Sequence, residues 1–284
     1  MYCGAELPEE SVAAAAASRA ALESEWASSS PAAAATAPAG PPRVLLVLEM
    51  EGADPETLAR AVGCSGFEAA QRVRRGGPDL HRILPEPQAR AEAARLRAGG
   101  LGVLEIAEAD VRGTPPVMAT RGGVESEQLA LETDDGALRL ASGDVLLVVR
   151  GTIAREYPVS AEVRRVSLAT LEPGYRVHLH RRVTARPVEI DPAAFEFASG
   201  PAVGGAQLQI ASWLDRLFPG VPRDDSFRLV IPALAPAAPP AGGPAATAAA
   251  LARPGRERRA VLDNVAQFRF HSAWRAAAFR LLAR

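Results

Sequence analysis

The chain has 284 residues, 48% hydrophobic but only 5% aromatic, and its 32 basic residues, all arginine, balance 33 acids to a formal net charge of −1. That balance excludes the bulk attraction to nucleic acid of a strongly basic chain, and the absence of lysine excludes a Gly-Lys-Ser/Thr phosphate loop. With Cys3 and Cys64 as the only cysteines, a disulfide framework is excluded and a reducing compartment is expected.

Charge is unevenly spread. Residues 1–42 carry five glutamates against one arginine, and residues 251–284 carry eight arginines against two acids. The N-terminus lacks a basic stretch followed by an apolar one, and no run approaches 18 apolar residues, so a cytoplasmic protein without a membrane-crossing helix is expected. Ala/Pro/Ser-rich runs at Ser24–Pro42 and Pro232–Gly255 read as disordered linkers.

Between them, RVLLVLEM predicts a strand starting at Arg43. DPETLARAVG predicts a helix with Asp54 as N-cap, Pro55 at the first position and Gly63 as C-cap. A second helix follows over Gly66–Arg75, then a strand LHRIL, a helix PEPQARAEAARLRAGG stopped by Gly99-Gly100, and a strand LGVLEI. From Val124 the pattern becomes strand-rich. LALETDDGALRLA alternates around Asp135-Gly136 as a type I′ hairpin would. ASGDVLLVVRGTIAREY, VRRVSLATL, YRVHLHRRV and RPVEI are further strands, and GGAQLQIASWLDRLFPG is an amphipathic helix.

The first unit, residues 43–107, resembles the C-terminal domain of the bacterial ribosomal stalk protein. Glu68, Ala69 and Val73 in its second helix, and Ala91, Glu92, Ala93, Leu96 and Gly99 in its third, stand at positions matching that family's pattern. The resemblance implies that Gly63 and Gly66 mark a helix stop and a helix corner, and that the helical face docks partner proteins. The family's lysines on that face fall on Phe67 and Ala70 here, with Arg72, Arg74 and Arg75 keeping a basic character beside them. Cys3-Gly4-Ala5-Glu6-Leu7-Pro8 resembles the second half of the first knuckle of a zinc ribbon. No second CxxC follows, so a truncated or decayed ribbon is expected rather than a metal site. The strand-rich region resembles bacterial pleckstrin-homology-like domains in order alone, several strands and then one helix.

His178-Leu179-His180 is the sharpest chemical candidate. Residues two apart on a strand face the same side, so both imidazoles could bind one metal ion, with Glu189 or Asp191 as a carboxylate ligand. Glu189 lies nine residues beyond His180, farther than cupin-type barrels place theirs, and two histidines on a wet strand face explain the spacing as simply. Asp224-Asp225 reads as paired carboxylates or an Asp-rich turn. The tail over 256–284 reads as a basic amphipathic helix, with Val261, Val265 and Phe268 on an apolar strip continued by Phe270, Trp274, Ala277 and Leu281. It is suited to a membrane surface or an acidic partner and, more simply, to docking back on the strand-rich domain or pairing in a dimer.

The expectation is an α+β protein. It comprises a segment over 1–42, a β-α-α-β-α-β module over 43–110, a strand-rich barrel- or roll-like domain closed by a helix over 124–231, a linker over 232–255 and a tethered C-terminal helix. The expected function is that of a non-enzymatic adaptor binding an unidentified protein partner through Phe67, Ala70, Arg72, Arg74 and Arg75, with Trp274 and Arg275 as a second contact. The alternatives are a metal-dependent enzyme using His178 and His180, and a regulator held on a membrane surface by its tail. No cofactor and no nucleic-acid partner are expected.

Overall fold

Asp54 opens the first helix by accepting a hydrogen bond from the Thr57 backbone N–H at 2.8 Å, Pro55 takes the first helical position, and Gly63 ends the helix at φ 77°. Ser65 opens the next through a reciprocal capping box with Glu68. These local signals set a unit of β1 (Arg43–Glu49), α1 (Pro55–Val62), α2 (Gly66–Arg75), β2 (Pro78–Pro85), α3 (Glu86–Ala98) and β3 (Val103–Ala107), whose antiparallel sheet has the order β2-β1-β3. A short α4 (Glu108–Arg112) follows.

The computed structural model describes residues 41–156, 174–200, 202, 204–229, 235–236 and 262–283. The Cys3 knuckle, the linkers, the expected strand VRRVSLATL, and Val261 of the tail lie outside the described residues. The fold is α+β, and the described residues belong to one compact unit starting at Pro41.

The strand-rich region contains β4 (Val117–Glu125), β5 (Gln128–Thr133), β6 (Gly136–Leu140), β7 (Val145–Ile153), β9 (Gly174–Arg181), β10 (Val188–Ile190), β11 (Glu196–Phe197) and β12 (Arg223–Asp224). They form one mixed sheet of order β12-β7-β9-β10-β4-β5-β6, with β11 also on β4. Among the described residues this path is open at both ends, roll-like rather than a closed barrel. A small sheet of β13 (Ala235–Pro236), β14 (Leu262–Asp263) and β8 (Arg155–Glu156) lies apart from it in hydrogen bonding.

Two sequence expectations are corrected here. The turn with positive φ at both central residues is Ser126-Glu127 (49° and 60°), joining β4 to β5 across the Glu125–Gln128 pair. The expected hairpin between β5 and β6 is present, but its central residues are Asp134 and Asp135, which keep negative φ, and only Gly136, paired with Thr133, turns positive, at 116°. The region also starts at Val117, earlier than the pattern suggests. Gly122 looks like a strand breaker but is required by packing, since a Cβ there would lie 2.4 Å from the Ala130 carbonyl oxygen.

The larger correction concerns the tail. Helix α6 (Val265–Leu282) is the central layer of the molecule, not a tether. On β1, Leu46 and Leu48 pack with Leu58, Ala69, Ala93 and Leu96 of the three module helices, while Leu45 and Val47 point the other way and pack with Trp274 and Ala278 of α6. Phe268 and Ala276 of the same helix pack on Leu147, Val149 and Ile153 of β7. The opposite face of the large sheet, through Val148, Val177 and Leu179, is covered by Ile210, Leu214 and Leu217 of α5 (Ala206–Leu217). The tail could not stay tethered because it is apolar on two sides, and such a helix is buried. Its apolar strip is spent inside the molecule, not on a membrane.

The fit of α6 on β7 is close. A Cβ on Gly151 would sit 2.5 Å from the Phe268 ring and 2.8 Å from the Phe227 ring. Gly151→Ala is therefore expected to destabilise the fold by about 1–3 kcal/mol through overpacking. Gly143→Ala, where a Cβ meets nothing within 4 Å, should leave the urea midpoint nearly unchanged. Equal midpoints for the two variants would show that α6 does not seat on Gly151.

Candidate functional site

Strand β9 sends Val177 and Leu179 into the core under α5 and, by alternation, His178 and His180 toward α6. Both imidazoles are buried, with 1% exposure each, so the solvent-facing alternative does not hold. Antiparallel pairing places Glu189 of β10 directly across from His178. Its nine-residue sequence separation is a strand register and not a loop length. Helix α6 supplies Ser272, which is completely buried.

The Ser272 hydroxyl lies 2.8 Å from His178 Nδ1 and 2.7 Å from His180 Nε2, while His178 Nε2 lies 2.9 Å from a Glu189 carboxylate oxygen. Arg269 Nε also donates to that carboxylate at 2.7 Å, and Arg176 donates at 3.2 Å while pairing with Asp191. Burial alone would raise the Glu189 pKa, but hydrogen bonds from His178 and Arg269 outweigh it and hold the group below the usual carboxylate range. An ionised Glu189 accepts only and burial keeps His178 neutral, which together set the protons in the chain. His178 Nε2–H donates to Glu189, His178 Nδ1 accepts from the Ser272 hydroxyl, and Ser272 accepts from His180 Nε2–H. The remaining His180 Nδ1 is buried without a hydrogen-bond partner among the described residues.

Serine, histidine and carboxylate in a line resemble an acyl-transfer relay. Ser272, however, is completely buried, with no exposed surface on which a substrate could be attacked, and its hydroxyl is held by both imidazoles. The serine hydroxyl occupies the space between the two rings, whose centroids are 5.9 Å apart, and Glu189 is already engaged by His178, Arg176 and Arg269. Among the described residues no group of three or more His, Cys, Asp or Glu is placed to hold a metal ion. In the structure His178 and His180 are hydrogen-bonding seats for α6. The signal available in the sequence was the His-x-His alternation; Ser272, inside an alanine-rich helix, carried none.

One helical step away, on another face of α6, His271 Nε2 lies 3.3 Å from an Asp224 oxygen and 3.4 Å from Ser226 Oγ. Because both contacts use one nitrogen, His271 cannot take a proton from the serine while being held by the carboxylate. Arg275 pairs with the same Asp224 and donates to the Pro78 carbonyl, tying α6 to the first module. Burial pushes Asp224 up, and hydrogen bonding from His271 with the Arg275 charge more than offsets it, leaving the group below its ordinary range.

The expected docking residues divide into two groups. Phe67 is 71% exposed on the first turn of α2, and Ala70 and Arg74 are exposed beyond it. Half-buried Arg72 and exposed Arg75 line, with Trp274 and Arg275, a cleft of about 860 Å³. Trp274 is 6% exposed and belongs to the core under β1, so it is corrected from a free contact to a cleft wall. Arg275 is likewise anchored by Asp224 rather than free.

Burial lowers the pKa of His178 from its ordinary 6.5, partly countered by Glu189, and lowers that of His180 much further, aided by the charges of His178 and Arg280. Below pH 6.5 the unfolded chain therefore binds protons that the folded chain does not. Stability should fall as pH falls, by about 1.4 kcal/mol per pH unit for each histidine until its native pKa is reached. His81, also lowered by burial, adds in the same direction. Urea midpoints at pH 7.5 and 5.5 measure this, and equal midpoints would contradict the neutral-histidine assignment. Ser272→Ala leaves two further buried ring nitrogens unpaired and is expected to cost about 2–5 kcal/mol, read from the same urea curves.

Comparison with protein-family models, curated proteins and solved structures finds no match to this chain.

Proposed function

We propose that the protein is a non-enzymatic, cytoplasmic adaptor that binds a protein partner through helix α2 and the surface beside it. The observation that carries this reading is the exposure of Phe67. An aromatic ring standing 71% in solvent on a rigidly capped helix is unused by the fold, and exposed aromatics of this kind serve as interface anchors. Arg74 and Arg75 extend the surface, and neither has an ion pair among the described residues. The resemblance of residues 43–107 to the ribosomal stalk C-terminal domain supports the same use of the helical face. The chain's scarcity of cysteine supports a reducing compartment, and no described helix is long and apolar enough to cross a membrane.

Purification of the tagged chain from its native cells, with companions identified by mass spectrometry, tests the reading. Phe67→Asp combined with Arg74→Glu should remove stoichiometric companions while changing stability by less than about 1 kcal/mol, since both side chains are exposed. Companions retained at full yield by a folded double variant would refute the role of α2.

A further inference from the structure

The cleft beside α2 has a chemistry of its own. Its walls are α2 and β2 of the first module, the Phe270–Arg275 face of α6, and the segment from Arg223 to Phe227. Five arginines line it, Arg72, Arg75, Arg112, Arg223 and Arg275, against three aspartates. Every aspartate is already matched: Asp79 by Arg72, Asp224 by Arg275 and Asp225 by Arg150. Arg223 faces Asp215, and Arg112 faces Glu108 while lying 4.4 Å over the Phe270 ring. Arg75 differs from all of these. Its only hydrogen bond among the described residues is a 3.4 Å contact from Nε to the Gln71 carbonyl, leaving the guanidinium fork without a carboxylate.

We infer that this cleft receives an acidic segment of the partner protein, Arg75 holding a carboxylate while the Phe270 wall receives a neighbouring apolar side chain. The inference rests on the adaptor reading and adds the partner's chemistry to it. Complementarity of charge argues for the occupant, because Arg75 is the one cleft arginine with no carboxylate partner among the described residues, and it is exposed beside Arg74. A volume of about 860 Å³ lies within the range of sites that enclose a ligand of a few residues. The walls are preformed, since Arg275 is tied both to Asp224 and to the Pro78 carbonyl, so a ligand need not order them.

The test uses the full chain and a fluorescent hexapeptide probe of four glutamates flanking a leucine–phenylalanine pair, read by anisotropy. Two comparison probes are the same peptide with glutamine for glutamate and a six-nucleotide single strand. The glutamate peptide should bind at least about tenfold more tightly than the glutamine peptide, and more weakly as salt rises. Arg75→Glu should lower its affinity by roughly tenfold or more, whereas Arg82→Glu, an exposed change outside the cleft on the same module, should not. Equal binding of the two peptides, indifference to Arg75→Glu, no binding at millimolar peptide, or tighter binding of the oligonucleotide would each overturn the assignment. If companions are lost with the α2 variant while peptide binding ignores Arg75→Glu, the adaptor reading stands and the cleft assignment falls. If peptide binding depends on Arg75 but cells yield no companion, the adaptor reading falls, and with it the partner as occupant, while the cleft's recognition of acidic peptide through Arg75 stands.

Discussion

The architecture depends on one helix being buried from two sides. Helix α6 presents Trp274 and Ala278 to one face of the small sheet, and Phe268 and Ala276 to one face of the large sheet. Without it both sheets would expose a row of aliphatic side chains, Leu45 and Val47 on one and Leu147, Val149 and Ile153 on the other. Apolar burial of this kind is non-directional. It explains why the helix docks, but not why it docks in one register.

Register comes from the polar contacts. Ser272 fits between His178 and His180, Arg269 reaches Glu189, and Arg275 reaches Asp224 and the Pro78 carbonyl. Sliding α6 by one residue would turn these groups by about 100° and leave buried ring nitrogens and carboxylates unpaired. Buried ionic groups add little net stability over well-packed apolar ones, yet breaking such a set costs several kcal/mol. The network therefore acts chiefly against misdocked arrangements of a helix whose apolar faces would tolerate several.

What the sequence disclosed follows the range of the interactions involved. Asp54, Pro55, Gly63 and the Ser65–Glu68 box act within four residues, so the first helices and their corners could be read directly. The alternation of β9 was equally local and put His178 and His180 on one side. Glu189 could be named as a carboxylate for the pair but not placed, because its position is a register across two strands, and Ser272 was hidden because it is 92 residues from His180 in sequence. The Asp-Gly pair located its hairpin but not the turn within it: β5 pairs with β6 across Thr133 and Gly136, so Asp134 and Asp135 are the central residues and only Gly136 has positive φ. The tail was legible as a helix able to dock back on the strand-rich domain, but not as the layer between two sheets, because a single amphipathic strip was expected and two apolar faces were present.

Consecutive residues of α6 serve different ends of this arrangement. His271 faces the cleft and Ser272 faces β9, about 100° apart around the helix axis. A ligand pressing on Phe270, His271 or Arg275 thus pushes against a helix whose far side is fixed by two hydrogen bonds to buried imidazoles. Any displacement of α6 would have to break both at once, along with the seating of Phe268 on Gly151. The cleft wall is consequently stiff, and discrimination between ligands falls to the side chains that remain free to move, Arg75 at the rim first among them.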